Sequence, residues 1–497
     1  MRALVAAVVA TSAAGLATTT AAPAVAEDGP VAHFVVLGPQ GTGLARTEAS
    51  VRAAGGQVLQ SWPQIGVVIA TSGSADFAAT VRHEPAVSGA GASRDLVELG
   101  LGTGTGSGGA ARFGDLEKIV AADPATTRAT RATTSAVAAE PLEADQWDIR
   151  MIKADQANAV SQGSRDVLVG VLDSGIDATH PDLAPNVDAA DSVGCVNQGI
   201  PDTSPAAWAP TTSSHGTHVS GTIAAARNGI GVAGVAPGVR LASVKVVDDD
   251  GFIYPEYAIC GFVWAAEHHM DVTNNSYFID PWFLWCEDDP DQQAVVKAMR
   301  RAIDYSAHRG VVNVAALGNS NWDLSHQIVD TGSPDNGTPV ERVTGNQCLD
   351  LPAEIPGVVG VSAVGPEDRK SFYSNYGISE TDVTAPGGDS QQVADTPSRN
   401  GRVLSTIPGG GYGYAQGTSM ASPHATGVVA LIRSTHPDWS VGRVHAALGI
   451  DADRIACPAG VYDPDGSGDF LATCQGGASG RGFYGAGLVD ALDAVTR

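Results

Sequence analysis

From about residue 146 to the C-terminus, short apolar runs alternate with longer helical stretches. Residues 167–172, 241–247, 272–276, 311–316 and 358–364 read as strands, and 255–268 and 293–308 read as helices. Each strand is apolar nearly throughout, where a half-exposed strand would alternate with polar residues. Such runs, separated by helices, require a parallel sheet covered on both faces. The expected fold class is therefore α/β: a doubly wound, mainly parallel sheet with helices on both sides.

The region before it has a different organisation. Residues 33–37 suit a strand, 44–54 a helix stopped by Gly55-Gly56, 64–70 a second strand, 75–81 a second helix and 95–97 a last short strand. This gives a small α+β domain within residues 27–98. Residues 99–139 are dominated by Gly, Ala and Thr and read as a flexible linker, with one short helix near 116–122. The linker contains Gly104, Gly106 and Gly109 in a G-x-G-x-x-G pattern. No strand precedes it and no helix follows closely, so the match is accidental. Residues 1–26 have a basic start, an apolar stretch and a small-residue end at Ala24-Val25-Ala26. That is the plan of a secretory signal peptide cut after Ala26, so an exported protein without a membrane anchor is expected.

Charge and cysteine content narrow the function. The net charge is −25, and residues 140–497 hold 44 acidic against 20 basic side chains. Such a surface repels phosphate backbones, which disfavours nucleic-acid binding. Six cysteines, an even number, fit an oxidising compartment; only Cys457 and Cys474 are close enough in sequence to propose as a pair. No C-x-x-C spacing supports zinc.

Three segments carry chemistry. Asp173 directly follows an apolar run in VLDSGID, which puts a carboxylate at the C-terminal end of a strand, where open α/β sheets hold their sites. His215 opens an Ala-rich helix in HGTHVSGT, and Ser419 leads into a helix in GTSMASPH. A serine hydroxyl is a weak nucleophile until an imidazole takes its proton, and that imidazole needs a carboxylate to hold its tautomer. Each residue alone has a bland reading as a strand end, a helix start or a turn. The three together, with their flanking glycines, do not.

These motifs resemble those of the subtilases, the subtilisin-like serine peptidases, from about Gln146 to the C-terminus. The resemblance implies Asp173 as orienting carboxylate, His215 as general base and then acid, and Ser419 as nucleophile, with His218 structural. A zinc pair of His215 and His218 is the weaker alternative. Asn319, in VAALGN, matches the family's oxyanion donor. Asn274-Asn275-Ser276-Tyr277 matches the strand that pairs with substrate, and Ala315 to Gly318 the other wall of the S1 pocket. Ser276, Tyr277, Phe278, Ala316 and Gly318 are thus the expected substrate-binding residues. Where the family has small glycines, this chain has Tyr277-Phe278, followed by an aromatic insertion over 279–289. That cluster reads first as packing and second as an extended substrate wall. No acidic residue falls clearly at the S1 base, and Ser320 stands where an acid would help a basic P1 group.

Residues 33–97 resemble the family's propeptide, which would act as an intramolecular chaperone and inhibitor; an independent binding module is the alternative. Maturation would cut within 126–140. Asp182 and Asn228 match family calcium ligands, so structural Ca²⁺ is expected, with no cofactor for catalysis. The loop with Asp463, Asp465 and Asp469 has Cys474 where an EF-hand needs Glu, and reads as a turn. The expected domains are residues 1–26, 27–98, 99–139 and a peptidase domain over 140–497. The expected function is a secreted, monomeric serine endopeptidase acting on proteins or peptides. A narrow processing protease and a non-catalytic binder on the same fold are the alternatives.

Overall fold

In the computed structural model, which describes residues 31–41, 43–94, 118–122 and 139–497, Leu168–Asp173 lies inside a wholly parallel seven-stranded sheet. Across the sheet the strands run Val383–Pro386, Val359–Val364, Val312–Ala316, Val272–Asn275, Leu168–Asp173, Arg240–Lys245 and Val193–Gly194. Alternate residues of the central strand explain its continuous apolarity. Val169 and Val171 enter one core with Val219, Ile223 and Val428. Leu168 and Leu172 enter the opposite core with Ile259, Phe262, Val295 and Met299. Helices His215–Ala224 and Thr418–Thr435 cover the first face, and Pro255–Glu267 and Pro290–His308 the second. This is the doubly wound arrangement expected from the sequence. The helix expected from 293 begins at Pro290, because Asp289 caps it by accepting from Asp291 N and Gln292 N.

From Leu168–Asp173 the chain goes to the edge strand Val193–Gly194 and returns through Arg240–Lys245 between the two. It then crosses to Val272–Asn275 on the other side. The topological switch therefore falls between Leu168–Asp173 and Val272–Asn275, and their shared C-terminal edge is where a site belongs.

The N-terminal unit is a four-stranded antiparallel sheet in the order Gln57–Trp62, Val67–Ser72, Ala32–Leu37, Gly89–Ala92. Its two faces have different partners. Phe34, Val36, Val68 and Ala70 pack with Val51, Phe77 and Val81 of its own helices. Val35, Leu37, Val67 and Ile69 join the core beneath the Pro290–His308 helix. Gly91 is needed there: a Cβ on it would stand 2.0 Å from the carbonyl oxygen of Asp291. Arg301 donates to the carbonyls of Gly38, Ile65 and Gly66 at 3.0, 3.3 and 3.0 Å. Arg82 pairs with Asp291, and Arg94 with the buried Glu256 at 3.0 Å.

Two strands stand where none was expected, and one local expectation is corrected. Gln57–Trp62 is a strand, although its sequence, QVLQSW, lacks a clean alternation. The outer strand is Gly89–Ala92, a Gly/Ala run whose tight fit against the helix outweighs its poor strand propensity; residues 95–97 lie outside the described residues. Within 116–122, the described part is the strand Val120–Ala121, paired with Tyr414 and Gly413, and not a helix. Residues 1–26, and with them the expected signal peptide, also lie outside. Among the described residues no helix is long and apolar enough to cross a membrane.

All six cysteines are paired: Cys195–Cys260, Cys286–Cys348 and Cys457–Cys474.

Candidate active site

Asp173 ends its strand, and both its carboxylate oxygens face Nδ1 of His215, at 2.9 and 3.0 Å. Both residues are buried. The carboxylate is itself oriented, since Oδ1 accepts from Ser174 N at 2.7 Å. A carboxylate on Nδ1 fixes the proton there and turns Nε2 into the basic nitrogen.

His218 lies on the same helix but is enclosed, its Nε2 3.0 Å from the carbonyl of Gly413. Burial pushes its pKa down to about 3, so it is neutral. With Nε2 occupied by a carbonyl, it is a packing residue and no partner to His215 in a metal site.

Ser419 stands in the first turn of Thr418–Thr435 and is 4% exposed. Its Oγ is 3.3 Å from the carbonyl of Ser276, and Ser276 Oγ donates back to the Ser419 carbonyl at 2.9 Å. Asn274 ties the same helix to the sheet: its Oδ1 accepts from Ser422 Oγ at 2.9 Å and Thr426 Oγ1 at 3.2 Å. Ser419 is thus held at the C-terminal edge of Val272–Asn275, next to the strand that carries Asp173.

Asn319 follows the neighbouring strand. Its Oδ1 accepts from Thr418 N at 2.8 Å and Thr418 Oγ1 at 3.0 Å. With the amide oxygen turned to Thr418, the NH₂ group faces the other way. Thr418 Oγ1 also accepts from Gly318 N at 3.0 Å, so one side chain joins the wall strand to the helix that carries Ser419.

The expected substrate-facing residues are only partly brought together. Ala316 and Gly318 adjoin Asn319, and Ser276 adjoins Ser419. Gly318 has φ +91°, and a Cβ there would lie 2.6 Å from Asn375 Nδ2. Tyr277 departs from expectation: its ring is buried in the core and its hydroxyl donates to Asn275 Oδ1 at 2.9 Å, so its side chain does not line a cleft. Burial, with Asp173 adding, holds that hydroxyl well above its usual pKa. Phe278 is half-buried and meets Phe283 of the insertion edge-on, with centroids 4.8 Å apart.

Asp182 is buried. Its Oδ2 accepts from Val232 N at 3.1 Å and Tyr412 OH at 2.9 Å, while Oδ1 has no hydrogen-bond partner among the described residues. Burial raises its pKa. Glu140, also raised by burial and with Asp182 among the contributing charges, reaches the same loop by accepting from Gly229 N at 2.8 Å. Asn228 Oδ1 accepts from Ile230 N at 3.1 Å. Two carboxylates, an amide oxygen and an unpartnered buried oxygen fit a hard divalent cation better than they fit each other. The cluster of Cys286, Asp288 and Cys348 offers no such site, because both sulfurs are spent in a disulfide. The 463–469 loop turns on its own groups, with Ser467 N donating to Asp465 Oδ1 at 3.0 Å.

Sequence reasoning missed Thr418 as the anchor of Asn319. It also missed Asp148, whose carboxylate lies 3.0 Å from Nε2 of the buried His424 and so fixes the helix behind Ser419. The GTS motif held a signal for the first; nothing local marked the second.

The model of the Subtilase family matches residues 164–468. Subtilisin NAT of Bacillus subtilis subsp. natto is 36% identical over 313 residues, covering 63% of this chain and 67% of its own. Fervidolysin of Fervidobacterium pennivorans is 31% identical over 325 residues, covering 61% and 40%. Among solved structures, the epidermin leader peptide processing serine protease of Staphylococcus aureus superposes with TM-score 0.63 at 19% identity, covering 94% of this chain and 98% of its own. The chain belongs to the subtilase family. It is a serine-type endopeptidase whose substrates are peptides.

Proposed function

We propose that the chain is an exported preproprotein whose mature part, beginning near residue 140, cleaves peptide bonds through an acyl-enzyme on Ser419. The observation that carries this reading is the buried contact of both Asp173 carboxylate oxygens with His215 Nδ1. In the reaction, His215 Nε2 takes the Ser419 hydroxyl proton as Oγ bonds to the substrate carbonyl carbon. The carbonyl oxygen becomes an oxyanion, held by Asn319 Nδ2 and the Ser419 backbone N–H. His215 then gives its proton to the leaving amine as the C–N bond breaks. Water, deprotonated by the same nitrogen, releases the acid and restores Ser419. Asp173 holds the ring in place through Nδ1 and stabilises the imidazolium. No cofactor enters the chemistry.

Residues 27–98 serve as the propeptide, joined by the 99–139 linker and held by the Arg94–Glu256 and Arg82–Asp291 pairs. Residues 1–26 direct export. Asp182, Glu140 and Asn228 would hold a Ca²⁺ ion, which when bound neutralises two carboxylates and pins the loop to the body of the enzyme. The mature enzyme works as a monomer.

A fluorophosphonate probe tests the reading. It should label the mature protein on Ser419 and abolish peptide hydrolysis, and Ser419→Ala should take no label. Undiminished hydrolysis by Ser419→Ala would sink it. A narrow processing role is the second reading. It is favoured by the likeness to a protein described as a leader peptide processing protease.

A further inference from the structure

Asp350 has no role in the chemistry described so far, yet it is 5% exposed and its Oδ1 has no hydrogen-bond partner among the described residues. Two of the expected substrate-facing segments adjoin it. Oδ2 lies 3.5 Å from where a Cβ on Gly318 would sit, and Gly318 immediately precedes Asn319. On the other side, the carbonyl of the next residue, Leu351, accepts from Ile279 N at 2.9 Å, just past Tyr277-Phe278. Asp350 therefore sits between the two strands whose ends flank Ser419.

The position is built. The Cys286–Cys348 disulfide and the Trp285–Leu349 pairing clamp the chain directly before it. Directly after it, Glu354 Oε2 accepts from Asp350 N at 2.6 Å. Among the described residues neither Asp350 nor Glu354 has an Arg, Lys or His in ion-pair range. A buried carboxylate with an open oxygen and no counter-charge is expensive to keep. Burial, with Glu354 adding, holds the Asp350 carboxyl well above the usual carboxylate range.

A substrate supplies what is missing. When Asn319 holds the oxygen of the scissile carbonyl, the residue owning that carbonyl, P1, lies against Gly318, and its side chain runs along that glycine. We propose that Asp350 forms the floor of the P1 pocket and selects substrates with a positively charged P1 side chain, arginine above lysine. The guanidinium is preferred because it meets a carboxylate with two parallel donors and is the more weakly hydrated cation. The absence of an acid at the pocket base, expected from the sequence, is thereby reversed: the acid comes from a segment 31 positions beyond Asn319, not from position 320.

The inference rests on the protease reading, and one experiment separates the two. Mature enzyme is given fluorogenic peptide libraries randomised at P2 to P4 and fixed at P1 by arginine or by citrulline, its neutral near-isostere. Active sites are counted with a fluorophosphonate. The wild type should favour arginine by ~100-fold or more in kcat/KM, as expected when a buried polar group would otherwise stay unpaired. In Asp350→Asn the arginine-to-citrulline ratio should fall to within about threefold of one. The ratio is internal to each preparation, so partial misfolding of the variant does not alter it. If the variant yields no active sites, the wild-type ratio decides alone. A wild-type ratio near one, or a high ratio unchanged in Asp350→Asn, overturns the role of Asp350. Failure of the wild type to cleave any peptide or take up the fluorophosphonate overturns the protease reading, and this proposal with it.

Discussion

Asn319 is positioned by Thr418, the residue next to Ser419: its Oδ1 accepts both the backbone N–H and the hydroxyl of that threonine. The proposed oxyanion donor and the proposed nucleophile are therefore tied through one threonine. Asn319→Ala should lower kcat by about 10²–10³-fold and leave KM nearly unchanged, a magnitude known from a subtilisin. Thr418→Val keeps shape but frees the amide, and should cost about tenfold in kcat. Steady-state kinetics on the two variants checks this; a loss confined to KM would reassign Asn319 to ground-state binding.

Ser419→Ala should be produced with residues 27–98 still attached, because removal of the propeptide is taken to be self-catalysed. Intact-mass measurement of protein made without other proteases gives the answer. Maturation of the variant on its own would refute self-processing.

Calcium should raise the unfolding temperature of Ser419→Ala, a background free of self-digestion, through selective binding to the native state. Asp182→Asn should abolish that response while leaving the contact between Asp173 and His215 intact. Coincident melting curves with chelator and with calcium would remove the ion from the picture.

His218 sets an acid limit. Its pKa is pushed down to about 3 in the fold, from about 6.5 in an unfolded chain. Above pH 6.5 both states are neutral and its contribution is complete. As pH falls from 6.5 towards 3 the unfolded chain binds the proton first, so stability drains away, by on the order of 4 kcal/mol. Denaturant titrations of Ser419→Ala across this range should show the decline. Adding His218→Leu, at some cost in overall stability, should flatten that part of it.

Phe278 stacks edge-on against Phe283, which makes it a packing residue first. Phe278→Gly should cost about 1–3 kcal/mol in stability, less than for a fully buried ring, and leave the peptide-cleavage profile as it was. A broadened profile with an unchanged melting temperature would make it a wall of the cleft.

Much of this fold was legible because its strands are buried on both faces. Residues such as Val169 and Leu172 cannot be anything but apolar, and the run announces itself. The candidate residues Asp173, His215, Asn319 and Ser419 stand out because they lie at strand ends or helix starts, where glycines and small residues leave a long local signature. Tyr277 was not: adjacent residues on a strand end point to opposite sides, and the motif does not say which side is the core. Asp350 was hidden for a different reason. It reaches the site through the Cys286–Cys348 clamp, a connection between distant positions that carries no local pattern. Val120–Ala121 took its conformation from an open strand edge at Gly413 and Tyr414, against its own helix-like composition.

The N-terminal sheet lends Val35, Leu37, Val67 and Ile69 to the core beneath the Pro290–His308 helix. If a cut beyond residue 122 releases that sheet, part of the core on which the fold was assembled leaves with it. What remained would then keep its shape because the way out is slow, not because the way back is open. Such an enzyme has a lifetime where other proteins have an equilibrium constant, and its persistence is governed by the height of an unfolding barrier. Every molecule would then fold once, with its template attached, and could not be renewed after losing it.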